Sequence, residues 1–298
     1  MSDLELRRRF FAEEIEAVAN VRSTHLVDAL ARVPRERFLP PGPWRVRGEG
    51  DVQARPRLTP DANPARVYHN VAVAIDAERQ LFNGAPGVLA TALDALELSP
   101  GARVLHVGAG LGYYTAVVAQ AIGSTGRVLG VEVDAALAAA ARANLTDWTW
   151  ADVRHGNGTE ALDASFDAIL VNAGVTHPLT TWLDALAPDG RLVVPLTATM
   201  PAMTPIGKGL LVCARAPKAG VLVDRARWEA RVLTFVAIYS AVGVREDDAN
   251  RQLGRALRQN PFPPLKSLRR DSHDAGATCW MHTPGACWSG EDPTPRSG

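Results

Sequence analysis

The middle of the chain alternates short runs of branched apolar residues with stretches of helical periodicity, and no other feature restricts the fold as strongly. Strands joined through helices pair in parallel, and the helices then cover the faces of the sheet. Two later apolar runs, separated by a turn region that contains Gly220, are typical of antiparallel strands at a sheet edge. The pattern therefore predicts an α/β protein with a mixed seven-stranded sheet and helices on both faces. The strands are predicted at residues 103–107, 127–133, 152–155, 166–172, 191–195, 210–215 and 231–239, and the crossover helices at residues 114–122, 135–144 and 179–186.

The segments on either side of this pattern differ from it in composition, which suggests three parts. Residues 1–66 combine helical periodicity with a stretch rich in Pro, Gly and Arg, residues 40–64, which we expect to be a long loop. Residues 67–243 are the predicted main domain. Residues 244–298 form an extension, and its polar tail from Ser289 onward is expected to be disordered. Further helices are predicted at residues 4–33, 85–98 and 247–259.

A glycine-rich turn follows the first predicted strand and precedes a helix. Gly108, Gly110 and Gly112 lie in it, and a loop without Cβ atoms can turn sharply and let its backbone approach a ligand. Open α/β sheets bind ligands at this end of their strands, where the next helix offers free N–H donors. A dinucleotide fingerprint would place its third glycine where this chain has Tyr113, so the spacing favours S-adenosylmethionine over NAD. The predicted cofactor contacts in this segment are Gly108, Ala109, Gly110, Gly112, Tyr113 and Thr115.

An acidic residue ends the second predicted strand. Glu132 lies 20 residues after Gly112, at a place where a carboxylate can accept hydrogen bonds from both ribose hydroxyls of the cofactor. Val133 follows it and is included in the predicted site. Asp134 is the competing acid.

Two asparagines follow the third and fourth predicted strands. Asn157, with Gly158 beside it, is predicted to bind the adenine, because its amide both accepts and donates hydrogen bonds. Asn172 is predicted to lie where the methionine part of the cofactor meets the methyl acceptor. The alternative for each asparagine is a residue that only ends a strand in a turn.

Motifs spread in order along the chain resemble those of protein-L-isoaspartate O-methyltransferases. They are ALARVPRERFLP at residues 29–40, the glycine loop at 104–115, Gly156-Asn157-Gly158, FDAI at 166–169, LAPDGRLVVP at 186–195 and the segment 232–243. The resemblance covers about residues 20–243. It implies a Rossmann-like class I methyltransferase fold and S-adenosylmethionine as cofactor. It also implies O-methylation of a carboxylate, on a peptide, a protein or a small molecule.

The predicted acceptor loop departs from the family pattern. Where the family has a substrate-contacting Ser two residues before a Pro, this chain has Gly84, with Asn83 beside it. We expect Asn83 and Phe82 to contact the acceptor, because the matching loop of the family covers the active site. A carboxylate acceptor needs no base, whereas an amine or an alcohol would benefit from one, and the candidate bases are His69 and His177.

Three other functions are compatible with these residues. They are a small-molecule O- or N-methyltransferase of secondary metabolism, a cofactor-binding module without catalysis that acts through its partners, and an NAD-dependent oxidoreductase. Calorimetry with each cofactor, followed by turnover assays, separates the three.

Charge and apolar patterning disfavour other partners. The chain has 32 Lys and Arg residues and 32 Asp and Glu residues, so it lacks the basic surplus of a nucleic-acid-binding domain. No apolar segment has the length of a membrane span, and residues 1–20 do not resemble a signal peptide. We therefore expect a cytoplasmic protein with neither nucleic acid nor membrane as partner. The oligomeric state is left open.

Four potential metal ligands lie close together near the end of the chain: His273, Cys279, His282 and Cys287. The Cys-x-x-His spacing suits zinc. However, the neighbours Trp280, Met281 and Trp288 are typical of a strand that covers a core. The sequence therefore favours a packing role, and no metal is expected.

Overall fold

The computed structural model of the protein describes residues 2–48, 55–160, 164–199, 205–220, 226–283 and 285–293. The chain divides into two compact units, Met1–Gly156 and Asn157–Gly298. Within the described ranges, no helix has the length and apolar character that crossing a membrane requires. The domain boundaries expected after residues 66 and 243 stay predictions.

Two helices open the first unit. α1 (Asp3–Ala19) begins with a capping box at Ser2, and α2 (Thr24–Arg32) is capped by the Ser23 side chain. Asn20, with a φ of 50°, ends α1 in the left-handed conformation. The helical prediction over residues 4–33 is therefore correct in type, but the helix is broken in two. The helices bury Phe11, Ile15, Leu26 and Leu30.

Two of the four strands in a small antiparallel sheet lie in residues 40–64, which were predicted to form a loop. The loop prediction is wrong for these two strands. In the order β2-β1-β3-β4, the sheet contains β1 (Arg45–Gly48), β2 (Arg57–Leu58), β3 (Val71–Asp76) and β4 (Leu81–Phe82). β1 and β2 are short and rich in arginine, so they lack the apolar run that identifies a strand. Val46 of β1 lies opposite Val73 of β3, and both are buried. Residues 49–54 of the predicted loop lie outside the described residues.

Three parallel strands and three helices form the rest of the first unit. They are β5 (Arg103–Val107), β6 (Arg127–Glu132), β7 (Ala151–His155), α3 (Pro86–Ala95), α4 (Tyr113–Ile122) and α5 (Ala135–Asn144). β6 lies between β5 and β7, with Val128 opposite both Val104 and Ala151. The strands and helices predicted here are confirmed to within three residues at each end. The carboxyl ends of the three strands lie at one edge, which positions the glycine loop next to Glu132.

The second unit is built around a mixed sheet. In the order β13-β14-β12-β11-β10-β9-β8, its described strands are β8 (Phe166–Val171), β9 (Leu186–Ala198), β10 (Ile206–Arg215), β11 (Arg227–Tyr239), β12 (Ser267–Arg269), β13 (Cys279–Thr283) and β14 (Ala286–Ser289). β8 and β9 are parallel, and the other neighbours are antiparallel. Its helices are α6 (Thr180–Asp184) and α7 (Asp247–Gln259). The seven predicted strands are thus all present, three in the first unit and four in the second.

The C-terminal extension adds strands to this mixed sheet. β12 pairs with β11, where Leu268 lies opposite Trp228, and β14 pairs with both β12 and β13. The prediction that disorder begins at Ser289 is wrong, because Ser289 is fully buried at the end of β14 and its hydroxyl donates to Thr278 O at 3.2 Å. Residues 294–298 of the predicted tail lie outside the described residues.

Truncation of Leu105 tests the importance of the first unit's core. Leu105 is fully buried in β5, so Leu105→Ala leaves a cavity and should lower the free energy of unfolding by about 2–5 kcal/mol. Leu6→Ala on α1 is the matched control, because Leu6 is 49% exposed, and it should change stability by less than about 0.5 kcal/mol. Urea unfolding measures both. Equal losses in the two variants would contradict this assignment of the core.

Candidate functional site

The glycine loop between β5 and α4 is built from backbone conformations that favour glycine. Gly108, Gly110 and Gly112 have φ angles of 85°, 55° and 93°, in the left-handed region where a Cβ atom is disfavoured. The N–H groups of Gly108 and Ala109 donate to Val131 O at 2.8 and 3.2 Å. The loop is therefore held against the end of β6.

The start of α4 keeps backbone donors that no described side chain uses. Gly112 is the N-cap residue, and no described side chain caps the helix, so the first-turn N–H groups face the space in front of it. A Cβ on Gly110 would lie 3.4 Å from Ile75 Cδ1, and one on Gly112 would lie 3.4 Å from Ala141 Cβ. Both positions are already close to their neighbours. The geometry fits a ligand that backbone atoms approach closely.

Glu132 ends β6 and reaches back to the glycine loop. It is 7% exposed; its Oε2 accepts from Gly110 N–H at 2.7 Å and its Oε1 from Asp134 N–H at 3.1 Å. Each carboxylate oxygen can accept two hydrogen bonds, so both keep capacity for the hydroxyls of a ribose. Val133, the next residue, has a side chain that is 42% exposed. The structure thus brings Glu132 to the glycine loop.

The competing acid, Asp134, serves the structure of α5. Its Oδ1 accepts from the N–H groups of Ala136 and Leu137 at 2.9 and 3.0 Å, and its Oδ2 pairs with Arg79 Nη1 at 2.5 Å. The Leu137 N–H and the Arg79 guanidinium hold the pKa of the Asp134 carboxyl below its ordinary value. Glu132 therefore remains the candidate for binding ribose.

The side chains of Tyr113 and Thr115 are packed in the core. Tyr113 is 2% exposed and Thr115 is fully buried. Thr115 Oγ1 lies 2.9 Å from His106 Nδ1, and burial lowers the pKa of His106 to about 4, so His106 is neutral near pH 7. Burial raises the pKa of the Tyr113 phenol to about 12. A cofactor contact of Tyr113 or Thr115 would therefore run through the backbone at the start of α4.

Asn83, which follows β4, is fixed by hydrogen bonds to β3 and to an arginine. Its N–H donates to Val73 O at 2.9 Å, and its Oδ1 accepts from Val73 N–H at 3.0 Å and Arg35 Nη2 at 3.3 Å. Its Nδ2 is buried and has no hydrogen-bond partner among the described residues. Asn83 therefore has a donor that the described residues leave unused.

Gly84, which the family resemblance places at a serine position, has a backbone conformation that would strain a larger residue. Its φ is 81°, and a Cβ there would lie 2.8 Å from Leu89 Cδ2. The loop conformation therefore disfavours a simple exchange of Gly84 for serine. The donor offered at this point of the chain is the amide of Asn83 instead of a hydroxyl.

Arg35 is a buried cation beside Asn83 that the sequence patterns did not reveal. It is fully buried, and its guanidinium donates to Val67 O, His69 O and Val71 O at 2.6, 3.1 and 2.7 Å. These oxygens and Asn83 Oδ1 are neutral acceptors, and a buried cation held by such acceptors favours an anion in its vicinity. Arg35 lies within the motif at residues 29–40, but a single arginine in a charged segment is more often exposed.

The two other candidates near this loop differ in their surroundings. Phe82 is half-buried in β4, and the guanidinium carbon of Arg47 lies 4.5 Å from the centroid of its ring, within cation–π distance. His69 has an exposed side chain, and its carbonyl oxygen contacts Arg35. The Phe82 ring is therefore in contact with Arg47, whereas the His69 imidazole is accessible to solvent.

Asn157 and Gly158, predicted to bind adenine, belong to the second unit and form a turn. Asn157 is exposed, and its Oδ1 accepts from Thr159 N–H at 3.0 Å and from Thr159 Oγ1 at 2.5 Å. Gly158 has a φ of 69°, and its carbonyl accepts from Trp182 Nε1 at 2.7 Å. These contacts have the character of an Asx turn. An adenine contact of Asn157 stays a prediction.

His177 and Asn172 are also residues of the second unit. His177 Nδ1 lies 2.9 Å from Thr176 Oγ1, and its Nε2 lies 3.5 Å from Glu246 Oε1. Both ring nitrogens of His177 therefore have polar neighbours within the second unit. Asn172 is half-buried directly after β8. The roles of both residues stay predictions.

Known sequences resemble this chain over its central part. Protein-L-isoaspartate O-methyltransferase 1 of Rhodopseudomonas palustris (strain HaA2) is 34% identical over 175 residues, which is 57% of this chain and 61% of that protein. The protein-L-isoaspartate O-methyltransferase of Methanothrix thermoacetophila is 33% identical over 163 residues, which is 53% of this chain and 67% of that protein. The similarity thus spans 61–67% of the length of these two relatives.

Two solved structures share the fold. A protein-L-isoaspartate O-methyltransferase matches with a TM-score of 0.58 and 20% identity, covering 85% of this chain and 72% of that one. A putative protein-L-isoaspartate O-methyltransferase from Plasmodium falciparum, in complex with S-adenosyl-L-homocysteine, matches with a TM-score of 0.56 and 18% identity, covering 78% of this chain and 97% of that one. The fold is therefore that of Rossmann-like class I methyltransferases.

A family model extends over the residues that carry the first unit's site. The model described as protein-L-isoaspartate(D-aspartate) O-methyltransferase matches residues 52–208, more than half of the chain. This range includes the glycine loop, Glu132 and Asn83. The chain belongs to the protein-L-isoaspartate(D-aspartate) O-methyltransferase family.

Proposed function

We propose that the protein is an S-adenosylmethionine-dependent methyltransferase that O-methylates a carboxylate on a peptide or a protein, the activity that the names of its relatives give to them. The observation that carries the proposal is the glycine loop, which has no described side-chain cap at the start of α4 and is bonded to the Glu132 carboxylate through Gly110 N–H at 2.7 Å. An NAD-dependent oxidoreductase is not favoured, because the chain belongs to a methyltransferase family.

The residues of the loop fit the cofactor. Gly108, Gly110 and Gly112 let the backbone approach it, and the first-turn N–H groups of α4 supply donors. The remaining acceptor capacity of Glu132 suits the ribose hydroxyls. When bound, the cofactor supplies an activated methyl group on a sulfonium. This chain then has to align the acceptor oxygen and exclude water.

The acceptor side favours an anion. Asn83 Nδ2 is a buried donor without a partner among the described residues, and the Arg35 guanidinium lies 3.3 Å from the other end of the same amide. A carboxylate acceptor would take the hydrogen bond and lie in the field of the cation. A cationic amine would face the same charge unfavourably, which disfavours N-methylation at this site.

A carboxylate acceptor also simplifies the chemistry. Its oxygen carries a negative charge at neutral pH, so no base has to remove a proton before the methyl group is transferred. Neither His69 nor His177 is then required as a general base. The donor of Asn83 orients one carboxylate oxygen and leaves the other oxygen as the nucleophile. A small-molecule carboxylate is the second acceptor class compatible with these groups.

Removal of the Glu132 carboxylate tests the cofactor assignment. Glu132→Ala should weaken S-adenosylmethionine binding by about 1–3 kcal/mol, because the ribose hydrogen bonds are lost. Calorimetric titration measures the affinity. Glu13→Ala, at an exposed carboxylate of α1, is the control and should bind as the unmodified protein does. An unchanged affinity in Glu132→Ala would mean that another residue binds the ribose.

The acceptor assignment is tested by Asn83→Asp. An aspartate keeps the oxygen that accepts from Val73 N–H and Arg35 but replaces the Nδ2 donor with a negatively charged oxygen. We expect kcat/KM for a carboxylate acceptor to fall by roughly tenfold or more, about 1.4 kcal/mol in the barrier, with unchanged cofactor affinity. Steady-state kinetics and calorimetry measure the two quantities.

Asn63→Asp is the matched control for this change. Asn63 is exposed, and its Oδ1 also accepts a backbone hydrogen bond, from Ala65 N–H at 3.0 Å, so the same exchange is made away from the site. Full activity is expected. If Asn83→Asp also kept full activity, Asn83 would have no role in binding the acceptor.

The activity itself is tested with labelled cofactor and an isoaspartyl peptide, beside the aspartyl peptide of the same sequence. We expect label in the isoaspartyl peptide, released by alkali because a methyl ester is hydrolysed whereas an N-methyl group is not. Label found only in a metabolite extract would assign a small-molecule acceptor. Tight cofactor binding without transfer to any acceptor would instead identify a non-catalytic module.

A further inference from the structure

The C-terminal extension gathers four side chains that bind metals in other proteins. They belong to His273, Cys279, His282 and Cys287, and one ligand atom from each lies within 4.8 Å of all the others. The sequence favours a core-covering strand here, and the structure contains that strand as β13. It also brings together ligands that strand packing alone does not require to meet.

The hairpin of β13 and β14 places three of the four on one face. His282 lies directly opposite Cys287 in the register, so their side chains share a face. Cys279 is three residues before His282, which in a regular strand would put it on the other face. A register shift between Cys279 and Met281 adds one residue to β13 and restores Cys279 to the face of His282.

The fourth side chain comes from the segment between β12 and β13. His273 Nδ1 lies 2.9 Å from Asp271 O and 3.5 Å from Asp271 Oδ1. Its other ring nitrogen, Nε2, lies 3.7 Å from Cys279 Sγ. A metal-bound histidine commonly has its second nitrogen held by a carbonyl or a carboxylate in this way. His273 is thus oriented with one nitrogen toward the cysteines.

The groups inside the cluster lack strong partners of their own. His282 Nδ1 is buried and has no hydrogen-bond partner among the described residues. Cys287 is 1% exposed, and Cys279 Sγ accepts from Gly276 N–H at 3.4 Å. The rings of His273 and His282 meet edge to face with centroids 4.7 Å apart. A buried imidazole nitrogen without a partner is unfavourable unless something binds it.

We propose that His273, Cys279, His282 and Cys287 form a structural zinc site. Zn–S bonds of about 2.3 Å and Zn–N bonds of about 2.0–2.1 Å put the ligand atoms of a tetrahedral site roughly 3.3–3.8 Å apart. The 3.7 Å between Cys279 Sγ and His273 Nε2 already falls in this range. Side chains within 4.8 Å of one another need only a small contraction around the ion.

The ligand set determines the metal class and the kind of site. Two thiolates and two imidazoles prefer zinc over magnesium or calcium, which bind oxygen ligands. Zinc binding releases one proton from each thiol to solvent and involves no electron transfer. The two thiolate charges then neutralise the ion, as a partly buried site requires. Four protein ligands leave no open position, so the site is structural and not catalytic.

Zinc would join segments that are otherwise held by few residues. β12 has three residues and β14 has four, and the ion would tie this hairpin to the segment that follows β12 through His273. The site therefore stabilises the edge of the second unit's mixed sheet. It is independent of the methyl-transfer activity proposed above.

Metal analysis of the full-length protein, purified with a reductant and without an immobilised-metal column, tests the proposal. We expect close to one zinc per chain. A strong chelator should remove it and lower Tm by more than about 5 °C, and added zinc, but not magnesium, should restore Tm. Cobalt added to the stripped protein should give the intense visible bands of a tetrahedral site with thiolate ligands.

Single variants identify the ligands. Cys279→Ser and His273→Gln should lower zinc affinity by more than the roughly 10- to 100-fold that loss of an outer partner costs. Cys213→Ser, in β10, and His25→Gln, at an exposed position of α2, are the matched controls and should bind zinc normally. The titration of the stripped unmodified protein does not depend on whether any variant folds.

Three results would overturn the proposal. The first is a stripped protein that binds no zinc or cobalt under reducing conditions. The second is thiolate-to-cobalt bands whose intensity is unchanged in Cys279→Ser. The third is a purified protein without zinc in which mass spectrometry finds a Cys279–Cys287 disulfide that reduction does not convert into a zinc-binding form.

Discussion

The hydrogen bond from Gly110 N–H to the Glu132 carboxylate connects the two parts of the chain that we propose bind the nucleoside of the cofactor. It forms because β5 and β6 are parallel and in register, so the loop that leaves one strand begins where the other strand ends. Gly130 in β6 is part of the same constraint, since a Cβ there would lie 2.8 Å from Val153 Cγ2. The position of the proposed ribose acceptor thus depends on packing inside the sheet, between Gly130 of β6 and Val153 of β7.

The proposed acceptor side is formed by antiparallel strands instead of parallel ones. Asn83 and Phe82 depend on the small antiparallel sheet, and Asn83 depends also on a buried arginine, Arg35, whose guanidinium donates to neutral oxygens and lies over two aromatic rings. Such a cation is costly to bury, and the cost is reduced when an anion is bound nearby. The family resemblance places a serine where this chain has Gly84, and Asn83 provides a polar group in the same loop.

The elements that could be predicted from sequence are those whose apolar periodicity reflects burial. β5 to β11 have such patterns, and so do α4 and α5. β1 and β2 do not, because their arginines take part in a short edge pairing that leaves no apolar run. The structure also distinguishes residues that look equivalent in the sequence. Asp134 caps α5, whereas Glu132 accepts a hydrogen bond from the glycine loop. The Thr115 hydroxyl lies against the buried His106 ring. The convergence of Cys279 and His282 depends on a bulge, which an alternating pattern does not reveal.

The pairing of β12 with β11 determines how the C-terminal extension contributes to the structure: it covers the edge of β11. Arg227, Trp228 and Glu229 lie opposite residues of β12, so a chain that stopped after residue 243 would present a bare strand edge and uncover Trp228, which is now 4% exposed. Bare edges of this kind recruit strands from other molecules. We therefore expect that loss of residues 244–298 would expose this edge and favour association between copies of the chain.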